Sequence, residues 1–431
     1  MIRKVLKYIL IFFITLGVML GLLVIVAKIP QDNLKENVRE SAEYYCDTGM
    51  FTRLLDGVNG SAVDHYADSI LVNIAYHYEA ENPLQSLMWS SYYFDEHQNE
   101  NKNLLQAVNE DREANQQYLR YWHGSNVFVR PLLACFNVKE IYVINAVIIA
   151  LLILGLLAML ILRKAYVPAV AFAIGLIAVG VWFVPTTFEY TWNFVVMLVM
   201  SIIGIAMAYK DSWGKAGALF LVGGMVTNYL DFLSTETITL TVPLLFMLWI
   251  RDNNSVDKNR KETIVFAGKS AIVWGIGYVG MWISKWVVSA IVLGQNTLPY
   301  ISSHVKERLD GDVGLSLPQY VWAALVRNTR CLFPFEYGVG GIFLGVGLII
   351  FALYIGYVHY GKKEDKKYIM VYVLIALVPY IRYVVLHNHA YLHYFFTYRA
   401  QLATVMSVVF VLELLTDRRL IAHGKAKRRK A

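Results

Sequence analysis

The chain has 431 residues, of which 57% are hydrophobic and only 16% are charged, and its mean hydropathy is +0.46. Soluble domains carry roughly 25% charged residues, so this composition excludes an ordinary soluble protein, a disordered chain and a disulfide-stapled mini-protein. The net charge of +7 does not indicate a nucleic-acid partner, because of where the basic residues lie. We therefore predict an all-α polytopic membrane protein.

A helix of ~20 apolar residues crosses the hydrocarbon core of a bilayer. Apolar runs predict ten transmembrane helices, at 9–27, 141–162, 167–184, 192–208, 216–230, 238–250, 264–292, 339–358, 369–386 and 395–415. The first run follows a basic start and is long for a signal peptide, so we interpret 1–29 as a retained anchor. The run at 238–250 is short, and with its predecessor it can instead form a re-entrant hairpin around Asp231.

The basic residues predict the orientation of these helices. With the N-terminus in the cytoplasm, 23 of the 39 Lys and Arg residues fall in cytoplasmic segments and 11 fall outside. This agrees with the positive-inside rule and also puts the C-terminus in the cytoplasm. The tail 417–431 is basic, and we expect it to face anionic lipid headgroups or to act as a stop-transfer flank.

The long segment 30–138 differs from the apolar bundle 139–416 that follows it. It carries 16 of the 32 acidic residues and seven basic ones, together with aromatic residues and apolar periodicity. We expect a helical extracytoplasmic subdomain, because long loops are usually functional or linkers. Cys46 and Cys135 both lie in this segment, where they either pair as a disulfide or stay as thiols.

Apolar residues at helical spacing predict an amphipathic helix from Ala67 to Tyr78. Asp64 and Asp68 stand one turn apart at the edge of its apolar stripe, so they share a face. At headgroup depth, such a carboxylate can act as a general base on a hydroxyl or bind a divalent metal. The alternative is a solvated acidic face, which we favour for Asp64 more than for Asp68.

Two further motifs stand at predicted membrane boundaries. His123 and Arg130 precede the second span, where a guanidinium can hold a lipid phosphate or extend to the interface. Asp231 lies between two apolar segments. A carboxylate there is a functional candidate, unless the hairpin breaks the surface and Asp231 only caps a helix.

The fourth motif is at the start of the last span. His389 and His393 share one helical face, and Arg399 falls inside the apolar run two turns on. Histidines at this spacing can bind a metal, but no acidic ligand is adjacent, so the motif fits a phosphate site better. The alternative is interfacial hydrogen bonding with a structural arginine.

The order of these motifs resembles the GT-C class of polytopic membrane glycosyltransferases, and more narrowly the uncharacterised bacterial proteins of that class. The matching stretches are 68–73, 121–124, 231–233 and 393–399. The resemblance implies a GT-C fold and transfer of a sugar from a polyprenyl-phosphate donor to an envelope glycan or lipid acceptor, at the extracytoplasmic face of the cell membrane.

In that class the base is an acid of the first outer loop, which maps here to Asp68. Arg399, His393, His389 and Arg130 would then bind the donor phosphate, and Asp231, Asp64 and His123 would orient the acceptor. Signatures of nucleotide binding are absent from the sequence, which agrees with a lipid-linked donor. The alternative function is a transporter or flippase of a lipid-linked or anionic solute, although we find no internal repeat of the kind that many transporters show.

Overall fold

The computed structural model describes residues 2–254, 260–297, 299–300, 314–333, 343, 345–351, 353–354 and 366–415. Within these ranges the chain is helical, and its β-structure is limited to two isolated bridges, Arg53 with Ala62 and Tyr92 with Gln116. The all-α prediction is therefore confirmed. Half of the predicted span 339–358 and the whole tail 417–431 lie outside the described residues.

After the first helix, α1 (Ile2–Ala27), the chain forms a subdomain of short helices that we call the insert, residues 30–137. Its helices are α2 (Lys35–Thr48), α3 (His65–Tyr76), α4 (Pro83–Trp89), α5 (Glu100–Asn109) and α6 (Asn126–Leu133). Leu104 and Val108 of α5 and Leu71 of α3 are buried in its apolar core. The predicted helix 67–78 thus begins two residues earlier and ends at Tyr76. Cys46 and Cys135 are separate thiols.

The bundle follows the insert. Its helices are α7 (Val138–Leu162), α8 (Tyr166–Ala178), α9 (Phe188–Tyr209), α10 (Ala216–Leu230), α11 (Ile238–Asn254), α12 (Arg260–Leu293), α13 (Leu317–Arg330), α14 (Lys366–Val385), α15 (His387–Leu392), α16 (Tyr394–Thr397) and α17 (Leu402–Leu415). Helix α13 is amphipathic, and its Trp322 is 68% exposed.

Five segments of the described chain are long and apolar enough to cross a membrane: Val5–Ala27, Val138–Leu162, Phe188–Tyr209, Lys261–Leu293 and Tyr394–Leu414. Several of the other predicted spans form shorter helices, such as α10 with 15 residues and α11 with 17. Large apolar side chains on α1, α7, α12 and α14 are more than half exposed, as expected of surfaces that face lipid rather than water. The chain is thus a membrane protein.

The insert packs on one end of the bundle. Contacts join it to the ends of several helices: Gly124 N donates to Tyr229 O at the end of α10 (2.9 Å), and Trp122 Nε1 donates to Met281 O late in α12 (2.8 Å). Lys285, buried in α12, donates to the carbonyls of Leu87 and Met88 at the end of α4. The insert therefore closes the end of the bundle at which α1 ends and α7 begins.

Helices α10 and α12 cross closely, and two glycines permit this. A Cβ atom on Gly224 would lie 2.1 Å from Trp274 O, and one on Gly277 would lie 2.2 Å from Leu221 O. Small residues let transmembrane helices approach backbone to backbone. This crossing positions Tyr229, whose carbonyl accepts from Gly124 N, and Trp282, whose Nε1 donates to Arg120 O (2.9 Å).

Candidate functional site

A cavity of about 480 Å³ lies between the insert and the bundle. The insert contributes α3 and the strip 118–123, and the bundle contributes the start of α9, the turn after α10 and the segment 389–395. The polar side chains in its wall are Asp64, Arg120, His123, Glu189, His389 and His393. Four of the predicted site residues, Asp64, His123, His389 and His393, are therefore brought together here from distant parts of the sequence.

Two carboxyl groups meet in this cavity, one from the insert and one from the bundle. Asp64 is the N-cap residue of α3, and its side chain accepts a hydrogen bond from Ala67 N (2.9 Å). Glu189 lies in the first turn of α9, and its carboxyl group lies near enough to that of Asp64 to donate to it when protonated. Asp64 is 1% exposed and Glu189 is 7% exposed. Burial raises the pKa of Asp64 to about 6.

Acids with a raised pKa in a cavity are typical of functional sites. Asp64 is still ionised at pH 7 and close enough to its pKa to accept a proton readily. The Oε2 atom of Glu189 is buried and has no hydrogen-bond partner among the described residues. Asp64 can thus act as a base, and Glu189 Oε2 can accept a hydrogen bond from a substrate hydroxyl.

Nitrogen donors surround this carboxyl pair. The rings of His389 and His393 are 4.6 Å apart, as their spacing of four residues predicts. The guanidinium of Arg120 lies over the ring of Tyr118 at 4.5 Å. His123 adopts a left-handed backbone conformation (φ 51°), and burial lowers its pKa to about 3, so it is neutral.

A metal is not indicated by these contacts. Within the described ranges, no three His, Cys, Asp or Glu side chains lie close enough together to hold an ion. The donor set instead has the composition expected for an anionic or hydroxyl-bearing ligand, since it combines N–H donors with carboxylates.

Asp68 does not line the cavity but lies behind it, 1% exposed. Its carboxylate accepts hydrogen bonds from Tyr142 Oη and from Phe188 N, at 2.9 Å for Oδ2. Phe188 N belongs to the first turn of α9, where backbone N–H groups lack partners inside the helix. Asp68 thus caps α9 from the insert and fixes the position of Glu189, the next residue along α9.

Two predicted phosphate ligands are also held by backbone instead of facing the cavity. Arg130 is fully buried and donates to the carbonyls of Ala75, Ile29 and Tyr78. Ala75 lies in the last turn of α3, and Tyr78 and Ile29 follow the ends of α3 and α1. Arg399 is fully buried and donates to Gly60 O (2.7 Å). These carbonyls hold the two guanidinium groups outside the cavity wall, although the Nε atom of each arginine has no hydrogen-bond partner among the described residues.

Asp231 likewise serves the local turn. It is 4% exposed and accepts from Ser234 N and Oγ and from Asn193 Nδ2, at 2.6 Å for Asn193. The bonds from Ser234 lie within the turn between α10 and α11, which begins only at Ile238, and the neighbouring Phe232 lines the cavity. Arg382 is paired with Glu236 at 2.5 Å, not with Asp231.

The sequence analysis overlooked Glu189 and Arg120. Glu189 follows Thr187, whose side chain caps α9 by accepting from Tyr190 N. A Thr cap followed by an acid at the edge of an apolar run is a recognisable helix start. Arg120 lies among aromatic residues of the kind that are common at membrane interfaces, so its sequence context gives no separate signal.

Comparison of the chain with models of known protein families, with curated proteins and with solved structures finds no match.

Proposed function

We propose that this protein is a membrane glycosyltransferase that uses the cavity between insert and bundle to move a sugar from a polyprenyl-phosphate-linked donor to an acceptor hydroxyl. The observation that carries the proposal is the meeting of Asp64 and Glu189 with N–H donors in one cavity. A carboxylate and a phosphate-binding group are the two parts that such a transfer needs. We place this cavity on the extracytoplasmic side, with both termini in the cytoplasm.

Asp64 acts as the general base in this scheme. It takes the proton of the acceptor hydroxyl while the oxygen forms a bond to the anomeric carbon of the donor sugar. The bond between that carbon and the phosphate oxygen breaks, and its electron pair leaves with the polyprenyl phosphate. The transfer inverts the anomeric centre, because one displacement occurs. Glu189 accepts a hydrogen bond from the acceptor and positions it.

The departing phosphate gains negative charge, which the other side of the cavity can stabilise. Arg120 contributes a permanent positive charge, and His389 and His393 contribute ring nitrogens. Guanidinium groups match phosphate oxygens in geometry, and donors aimed at developing charge are worth most in a site shielded from water. These residues replace Arg130 and Arg399 in the donor-binding role.

Aromatic side chains complete the cavity wall. Tyr66 and Phe51 stack with ring centroids 5.9 Å apart at its outer rim, and Tyr121 and Phe232 meet edge to face at 5.7 Å. Such rings offer apolar faces beside polar atoms, which suits a sugar with both C–H faces and hydroxyl groups.

Transfer from a labelled donor tests the proposal. Membranes that contain the protein are incubated with a panel of polyprenyl phosphates that carry ¹⁴C-labelled hexoses or pentoses, and label leaving the lipid for a polar product is counted. We expect transfer from at least one donor. Asp64→Asn, which keeps the helix cap because Asn caps as well as Asp, should lose about 100-fold or more of the rate.

Asp56→Asn is the matched control, since Asp56 is an exposed acid of the same insert, and it should retain full activity. Failure of the wild-type protein to move label from every donor would contradict glycosyl transfer. Full activity in both Asp64→Asn and Glu189→Gln would show that the carboxyl pair is not the base.

A further inference from the structure

A second concave site lies in the membrane-facing part of the bundle. It is a groove of about 450 Å³ between α7, α9 and α10. Ile148, Val199 and Ile203 in its wall are 40–43% exposed, so the groove opens at the surface of the bundle. None of the described residues that form its wall is charged.

Two polar groups interrupt this apolar wall. Asn145 is 2% exposed, and its Nδ2 atom is buried without a hydrogen-bond partner in the described part of the chain. Trp192 is 7% exposed, and its Nε1 atom is also buried without a hydrogen-bond partner among the described residues. Its ring stacks on that of Phe128, with the ring centroids 5.0 Å apart. Buried donors without partners are costly, and here both belong to residues that line one groove.

Both donors lie toward the insert end of the groove. Asn145 stands seven residues after the start of α7, and Trp192 stands four after the start of α9, which is about 10 Å and about 6 Å along the helix axes. From Trp192 the wall continues to Ile203, about 16 Å further along α9, with only apolar residues of α9 and α10. The groove is therefore polar near one end and apolar beyond it.

We propose that this groove binds one acyl chain of an ester-linked membrane lipid, with the ester carbonyl accepting hydrogen bonds from Asn145 Nδ2 and Trp192 Nε1. In such a lipid the ester carbonyl is at one end of the apolar acyl chain. The groove has the same order, with two N–H donors toward one end and an apolar wall beyond them. A polyprenyl chain has no acceptor at that position, and its phosphate would find no cation in this wall. The site is separate from the carboxyl cavity, and its occupancy does not depend on the proposed transfer reaction.

Binding of two matched lipids tests this proposal. Native mass spectrometry compares a diester phosphatidylglycerol with its diether analogue, which has the same headgroup and chain length but no carbonyl. We expect the wild-type protein to prefer the diester by about tenfold, which corresponds to about 1.4 kcal/mol. Asn145→Leu, which replaces the amide by an apolar side chain of similar size, should reduce this preference by severalfold.

A second pair of variants tests the location. Val199→Trp fills the groove and should weaken binding of the diester by more than tenfold. Val143→Trp is the control, because Val143 is 63% exposed on α7 and lies outside the groove, and it should bind like the wild type. Equal binding of diester and diether by the wild type would overturn the proposal. So would displacement of the diester by an equal concentration of polyprenyl phosphate, or unchanged binding in Val199→Trp.

Discussion

Replacing Asp68 with alanine should lower stability and reduce transfer only indirectly. Asp68 joins the insert to the bundle, since it accepts from Phe188 N at the start of α9 and from Tyr142 Oη. Tyr142 can turn to Tyr45, whose hydroxyl oxygen lies 3.0 Å away. Phe188 N has no such alternative in the contacts that the structure shows, so the substitution leaves one buried N–H group without a partner.

The magnitude follows from these contacts. An orphaned buried N–H group costs about 1–3 kcal/mol, and a lost hydrogen bond to a neutral carboxyl group, the form that burial favours for Asp68, adds about 0.5–1.5 kcal/mol. We expect a total of about 2–4 kcal/mol, because Tyr142 keeps an acceptor. That corresponds to a fall in Tm on the order of 5 °C.

The cost should also depend on pH. Burial raises the pKa of Asp68 to about 8. Between about pH 4 and pH 8 the folded protein holds a proton that the unfolded chain has released, so the contribution of Asp68 to stability falls as pH rises through this window. The Tm difference between wild type and Asp68→Ala should therefore be larger at pH 5 than at pH 8.

Thermal unfolding in detergent and transfer of labelled sugar are measured on the same preparations. Ser69→Ala is the control, because it removes a buried hydrogen bond of α3 to Asn101 (2.8 Å) without contact to α9. If Asp68→Ala abolishes transfer at unchanged Tm while Asp64→Asn stays active, then Asp68 is the base and our placement of the site is wrong.

Three further predictions concern the cavity and the bundle. Transfer should rise with pH around the pKa of Asp64, about 6, because the base must be ionised, and a rate that is flat from pH 5 to pH 8 would contradict this role. Gly277→Leu should force α10 and α12 apart, since its Cβ would meet Leu221 O, and the yield of monodisperse protein in size-exclusion chromatography should fall severalfold. Arg382→Met should destabilise by about 3–5 kcal/mol because it leaves Glu236 buried and unpaired. The double variant with Glu236→Gln should recover much of the lost Tm, and no recovery would show that the pair is not coupled.

Much of the architecture follows from the sequence. Low charge and long apolar runs determine a helical membrane protein, and the acidic, aromatic segment after the first run determines a separate insert. Local spacing also places the pair His389 and His393 on one face, as the structure shows. These features depend on residues near each other in the chain, so composition and periodicity are enough to find them.

Tertiary structure alone decided which polar groups face the cavity. Asp64 and Asp68 share a helical face by spacing, but Asp68 meets α9, whose start is 120 residues away in sequence, and Asp64 meets Glu189. Arg130 and Arg399 were expected at a phosphate, yet backbone carbonyls from distant segments take their donors. A buried charged group goes to whichever partner satisfies it at least cost. That partner is set by how the insert packs on the bundle, which local spacing does not encode.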